Sequence, residues 1–232
     1  MRISTQEQYD LMEINKLINS NCFDFMKNMK DNSVDLILTD IPYGTVTRES
    51  NGLANFDRGQ ADIITFELQP FLKECYRLAK SGIIIFCAKE QLSEIYGFFD
   101  EKQKQKKGTV RQLIWEKTNP TPFNGQYVYL SGIENAVWFR KSGGTFNAHC
   151  KNTVFRYPIW GGKNRIHPTE KHHDLLKELI LDNSNEGDLV FDPCAGSGST
   201  LLVAKQNNRN YLGCELNEEF YLAAEKRLNL TK

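Results

Sequence analysis

The chain has 232 residues, 40% hydrophobic and 25% charged, and its 29 basic and 29 acidic side chains cancel to a formal net charge of zero. That length suits one sizeable α/β domain and that composition an ordinary soluble globular protein, and the total charge neither favours nor disfavours a polyanionic partner. No stretch reaches the roughly 18 continuous apolar residues of a membrane span, and "MRISTQEQYDLMEINK" lacks the apolar core of a signal peptide, so a cytoplasmic protein is expected.

In chain order, "INKLINS" at 14–20 reads as a short strand and 23–30 as one or two helical turns. Residues 34–39 form a strand whose aliphatic run "LILT" stops on a carboxylate, a lone proline, an aromatic and a glycine, "DIPYG". This is the pattern of a buried strand leaving the core of an α/β sheet, and ligands bind just past such strand ends. The polar, Gly/Asn-rich stretch 44–60 is too long for a simple connection and reads as a functional or mobile loop. Residues 66–80 repeat apolar positions with a helical period, "GIIIFCA" at 82–88 is a second fully buried strand, and a helix follows near 89–99.

"RQLIWEK" and "ENAVWFRK" read as two strands joined by a Pro/Gly-rich loop. Residues 141–166 carry Gly pairs at 143/144 and 161/162 and aromatics at Phe146, Phe155, Tyr157 and Trp160. They show no clean period and read as an insertion. "HPTEKHHDLLKELILD" is a helix opened by proline near its first position, with His172 and His173 on its surface. From Gly187 onward the chain reads strand, glycine turn, helix, strand, acidic residue and helix, one βαβα unit. Repeats and low-complexity segments are absent.

Charge is unevenly spread. From Asn135 to Thr169 there is no acid, while Arg140, Lys141, Lys151, Arg156, Lys163 and Arg165 give that stretch +6. Such a local excess suits a polyanion contact, with a solvated loop as the plainer reading. The cysteines at 22, 75, 87, 150, 194 and 214 form no CxxC pair and no zinc-type cluster with histidine, so neither a metal nor a disulfide framework is expected. Most read as small buried hydrophobes.

"FDPCAGSGST" puts Gly196 and Gly198 between a strand and a helix, where absent side chains let a ligand reach the backbone and the helix N-terminus. About 20 residues on, Glu215 ends the next strand, where a carboxylate can accept both hydroxyls of a ribose. The pair points to an adenosine-containing cofactor. Leu201 or Leu202 stands where the dinucleotide fingerprint has its third glycine, which disfavours a nucleotide-dependent oxidoreductase.

Together "DIPY", "FDPCAGSGST" and "HPTEK" resemble the DNA amino-methyltransferases, which use S-adenosylmethionine to methylate the exocyclic amine of adenine or cytosine. The order of the motifs looks like the β class, and the resemblance runs from about residue 14 to 229. It implies a circularly permuted seven-stranded, Rossmann-like methyltransferase sheet with helices on both faces. The chain would form a single catalytic domain over 1–232, with a small target-recognition segment at 141–166 that meets double-stranded DNA through the six basic residues above. The permutation makes 14–20 the strand that belongs after the helix following Glu215.

By the same resemblance, S-adenosylmethionine contacts Asp192, Pro193, Ala195, Gly196, Gly198, Ser199, Thr200 and Glu215. Asn21 and Cys22 lie near its adenine, Thr169 and Lys171 near its methionine end, and Asp40 beside the reacting methyl. The catalytic set is Asp40, Ile41, Pro42 and Tyr43. An exocyclic amine is a poor nucleophile because its lone pair is delocalised into the ring, and two acceptors aimed at its N–H groups free that pair for attack. Asp40 and the carbonyl of Ile41 would be those acceptors, and Tyr43 the stacking surface for a base rotated out of the duplex.

Ile41 replaces the family's usual proline, while Pro42 still restricts it to extended geometry. An aspartate with its ordinary pKa near 3.9 is too weak to deprotonate the amine beforehand, so Asp40 is expected to act as acceptor and electrostatic partner. An Asp at this position leans toward adenine N6, and a Ser would have leaned toward cytosine N4. Pro193-Cys194 lies inside the glycine turn, which sets aside a cytosine-C5 enzyme. The alternatives are a cytosine-N4 enzyme, a small-molecule methyltransferase, and a DNA-binding protein that lost turnover through Ile41. The expected assembly is a monomer or homodimer without metal.

Overall fold

The computed structural model describes residues 13–43, 67–122, 125–161 and 170–230. Thr169, Lys163, Arg165 and the polar stretch 44–60 lie outside the described residues. The elements run β1 (Lys16–Asn19), α1 (Cys22–Met26), β2 (Val34–Asp40), α2 (Leu68–Leu78), β3 (Ala79–Cys87), α3 (Lys89–Lys104) and β4 (Gly108–Lys117). They continue with β5 (Ile133–Lys141), β6 (Val154–Tyr157), α4 (His173–Asn183), β7 (Leu189–Asp192), α5 (Ser199–Gln206), β8 (Asn210–Glu215) and α6 (Glu218–Leu230).

One sheet joins the strands in the order β1-β8-β7-β2-β3-β5-β4-β6. β1, β8, β7, β2 and β3 pair in parallel, β5 is antiparallel to both its neighbours, and β6 is parallel to β4. The C-terminal ends of the other described strands and the N-terminal end of β5 therefore share one edge. Parallel strands buried on both faces need apolar runs, which "LILT" and "GIIIFC" supply. Helices α1, α2 and α3 cover one face through Met26, Phe71, Leu72, Ile95 and Phe99, and α4, α5 and α6 the other through Leu175, Leu179, Leu201 and Ala224. β1 lies beside β8 in register Leu17↔Gly213, so joining the ends in thought completes the sheet as the permutation requires.

Beyond small shifts at element ends, such as Ala79 and Lys80 beginning β3 rather than ending α2, the structure differs from the sequence expectation at four points. The sheet has eight strands, because β6, inside the segment read as irregular, pairs with β4 at Trp115↔Phe155. Phe155 is buried there, and so short a strand is too brief to show a period. α3 runs to Lys104, its added turn carrying pairs from Lys104 back to Asp100 and Glu101. α4 starts at His173 rather than beside Pro168, because Glu170 and Lys171 are drawn into tertiary ion pairs and His172 caps the helix through its Nδ1. His172 and His173 are part of an aromatic stack, His173 lying 4.4 Å from Trp160 and His172 5.5 Å from Tyr157, so they are not free surface residues.

Candidate active site

β7 and β2 are neighbours in register Leu36↔Val190, which sets the turn after Asp192 beside the turn after Asp40. At the first turn, Asp192 accepts the Cys194 N–H at 3.1 Å. The chain then passes through Gly196 (φ 50°) and Gly198 (φ 71°), left-handed conformations that favour glycine. A Cβ on Gly198 would also lie 3.1 Å from that of Ala224 on α6. Burial pushes the Asp192 carboxyl up to about 7.

Glu215, at the end of β8, reaches back to this turn. Its Oε2 accepts the Gly196 N–H and its Oε1 the Asn217 N–H, each at 2.8 Å. Burial raises its pKa, opposed by those backbone amides. Each oxygen keeps a lone pair, so the carboxylate fits the two hydroxyls of a ribose. Asn19 and Ser20 bond to the Glu215 carbonyl, and Cys22 lies close enough to Cys194 for the two thiols to shift each other's pKa, down for Cys22 and up for Cys194. Residues 19–22 are thereby brought to the glycine turn, and the Asn21 oxygen serves as the N-cap of α1, accepting Phe23 N–H at 2.9 Å. An Asn just before a helix carries that signal.

The second turn is built around Asp40. Its Oδ1 accepts the Tyr43 hydroxyl at 2.8 Å, and its Oδ2 pairs with Lys171, whose side chain is 6% exposed. Lys171 also pairs with Glu134 Oε2 at 3.1 Å, and Glu134 Oε1 with Lys117 at 2.8 Å. Burial raises the Asp40 pKa more than Lys171 lowers it, with Glu134 adding to the rise, so its carboxylate is more basic than an ordinary one. Burial works against ionising Glu134, yet Lys171 and Lys117 outweigh it and hold the carboxyl at about 2. Burial likewise disfavours the Lys171 ammonium, but Asp40 and Glu134 reverse the effect and its net shift is upward.

Ile41 is buried in the core under α2 and α3, its N–H donating to Phe86 O at 3.3 Å. Gln91 on α3 donates to Pro42 O at 2.9 Å. Packing and these bonds hold the turn that a proline would otherwise stiffen.

Sequence reasoning missed Glu134, Lys117 and Gln91. The available signal was a lone acid, Glu134, near the start of a strand with an apolar centre, AVWF, just before the acid-free stretch. Among the described residues, the four basic side chains of the expected DNA-contact set do not gather at one edge of the sheet. Arg140 and Lys141 end β5 at the sheet edge opposite Asp40, Lys141 bonding Asn32 and lying 4.4 Å from the Tyr76 ring centre. Lys151 is tied to Glu178 and Asp182 of α4, at 2.7 and 2.5 Å. Arg156 lies at the Asp40 edge, 71% exposed and paired with Glu116 at 3.0 Å. Strand polarity separates these residues: β5 runs against its neighbours, so its last residues fall far from the site. Among the described residues no helix is long and apolar enough to cross a membrane.

A glycine turn with an acidic strand end, set beside a carboxylate poised on a second strand end, defines a Rossmann-like group-transfer enzyme. The family model described as DNA methylase, covering N6 and N4 enzymes, matches residues 34–226, and the chain belongs to that family. It is 30% identical to the type II methyltransferase M.HinfI of Haemophilus influenzae over 250 residues, covering 94% of this chain and 69% of that protein. It is 28% identical to M2.DpnII of Streptococcus pneumoniae, covering 91% and 88%. The solved complex of M1.HpyAVI with S-adenosylmethionine superposes with a TM-score of 0.68 at 27% identity, over 91% of this chain and 98% of that one.

Proposed function

We propose that this chain transfers the methyl group of S-adenosylmethionine to N6 of an adenine rotated out of duplex DNA. The observation that carries the reading is the placement of Asp40, a half-buried carboxylate with a raised pKa, held by Tyr43 and Lys171 one strand away from the glycine turn gripped by Glu215. Glu215 and the turn from Asp192 to Thr200 would hold the cofactor, which supplies an electrophilic methyl when bound. Asp40 accepts an amine N–H, localises the nitrogen lone pair and stabilises the positive charge that develops there. Its raised pKa also suits it to take the proton that the nitrogen sheds once the methyl has arrived. Tyr43, its hydroxyl tied to Asp40, offers the base an aromatic surface worth roughly 1–3 kcal/mol, against an unstacking cost of a few kcal/mol.

Cytosine N4 would use the same acceptors, and Asp at position 40 favours adenine. The test is incubation with labelled S-adenosylmethionine and mixed-sequence duplex DNA, followed by digestion and mass spectrometry of the nucleosides. N6-methyladenine is expected; N4-methylcytosine would correct the base, and unlabelled DNA would overturn the reading. Asp40→Ala should lower the transfer rate on the order of 100- to 1000-fold while the protein still binds the cofactor.

A further inference from the structure

Both carboxylate oxygens of Asp40 carry a partner, the Tyr43 hydroxyl on Oδ1 and the Lys171 ammonium on Oδ2. Each oxygen keeps a second lone pair, but an amine N–H brought to Asp40 competes with the Tyr43 hydroxyl and the Lys171 ammonium for the same carboxylate. A neutral N–H binds a carboxylate more weakly than an ammonium does, and an ammonium as buried as that of Lys171 cannot retreat into solvent without leaving its pocket. It does have a second carboxylate within reach, Glu134 Oε2 at 3.1 Å. Glu134 comes from the start of β5 and is anchored on its other oxygen by Lys117 of β4. Along Asp40, Lys171, Glu134 and Lys117, charges of opposite sign alternate and cancel.

We propose that Glu134 is a positioning residue for methyl transfer: it retains the Lys171 ammonium while Asp40 exchanges that ion pair for the N–H of the acceptor amine. This rests on the reading of Asp40 given above. Glu134 acts through Lys171 and touches neither base nor methyl group. The Tyr43 hydroxyl, 3.5 Å from Glu134 Oε2, stays tethered to the same cluster during the exchange.

The test is a double-mutant cycle read by single-turnover methyl transfer to duplex DNA, with cofactor affinity measured alongside to report folding. Glu134→Gln keeps the shape but leaves Lys171, among the described residues, no carboxylate partner except Asp40. The transfer rate should fall on the order of 100-fold while cofactor affinity holds. Lys171→Gln removes the ammonium that has to be moved, so it should transfer faster than Glu134→Gln, and the double variant should match Lys171→Gln. A double variant as slow as Glu134→Gln, losses that multiply, or Glu134→Gln at the wild-type rate would each overturn the inference. A wild-type protein that labels neither adenine nor cytosine would instead bring down the reading of Asp40, and this inference with it.

Discussion

Ile41 holds the turn after β2 by means that differ from those of a proline. Asp40 and Ile41 are adjacent on an extended chain, so their side chains point to opposite faces of the sheet. Asp40 enters the charged pocket, and Ile41, 2% exposed, enters the core beneath α2 and α3. Cutting the side chain back should loosen the turn as well as open a cavity. Ile41→Ala is expected to cost about 2–4 kcal/mol of stability, measured by denaturant unfolding, and to slow methyl transfer beyond what the remaining folded fraction explains. Restoring proline should not repair it, because proline lacks the N–H that Ile41 donates to Phe86 O and fills less of the core. A fully active, fully stable Ile41→Ala protein would show that the turn is held by Gln91 and Pro42 alone.

At the scale of elements, the strands beneath the site were legible because fully buried parallel strands must be apolar throughout, and the helices because an amphipathic face repeats. The glycine turn was legible through residue types that few other conformations require. Less visible were elements whose reason lies elsewhere in the chain. β6 is a strand because β4 offers it an edge, and α4 starts late because Lys171 is claimed by Asp40 and Glu134. Glu134 is an unremarkable acid until the sheet order sets β5 beside β3.

The turn after β7 also carries a stability signature that no residue pattern announces. Asp192 has an ordinary pKa of 3.8 when exposed and about 7 when folded, because burial penalises its charge. Between those values the folded chain keeps a proton that the unfolded chain has lost. The stabilisation is complete below about 3.8 and disappears as pH rises through about 7. Asp192→Asn, which mimics the neutral carboxyl, should therefore melt several degrees above wild type at pH 8, with a smaller gap at pH 5. A gap that does not widen between pH 5 and pH 8 would mean that Asp192 is already ionised in the fold at pH 5.

For the whole molecule, a net charge of zero conceals a division set by strand direction. Seven residues of extended strand, about 23 Å, separate Glu134 at the site edge from Lys141 at the other, so a duplex offering its base to Asp40 lies far from Lys141. Arg156 stands on the site edge, and its exposed pair with Glu116 is worth at most about 1 kcal/mol, little obstacle to a phosphate. Binding to duplex DNA measured across a salt series should separate the two. Arg156→Gln is expected to reduce the slope of log K against log salt by about 0.9, the loss of one phosphate contact, while Lys141→Gln leaves the slope unchanged. The reverse result would place the duplex against the opposite edge of the sheet. No base bound there could reach Asp40, and the assignment of Asp40 as the acceptor would fall with it.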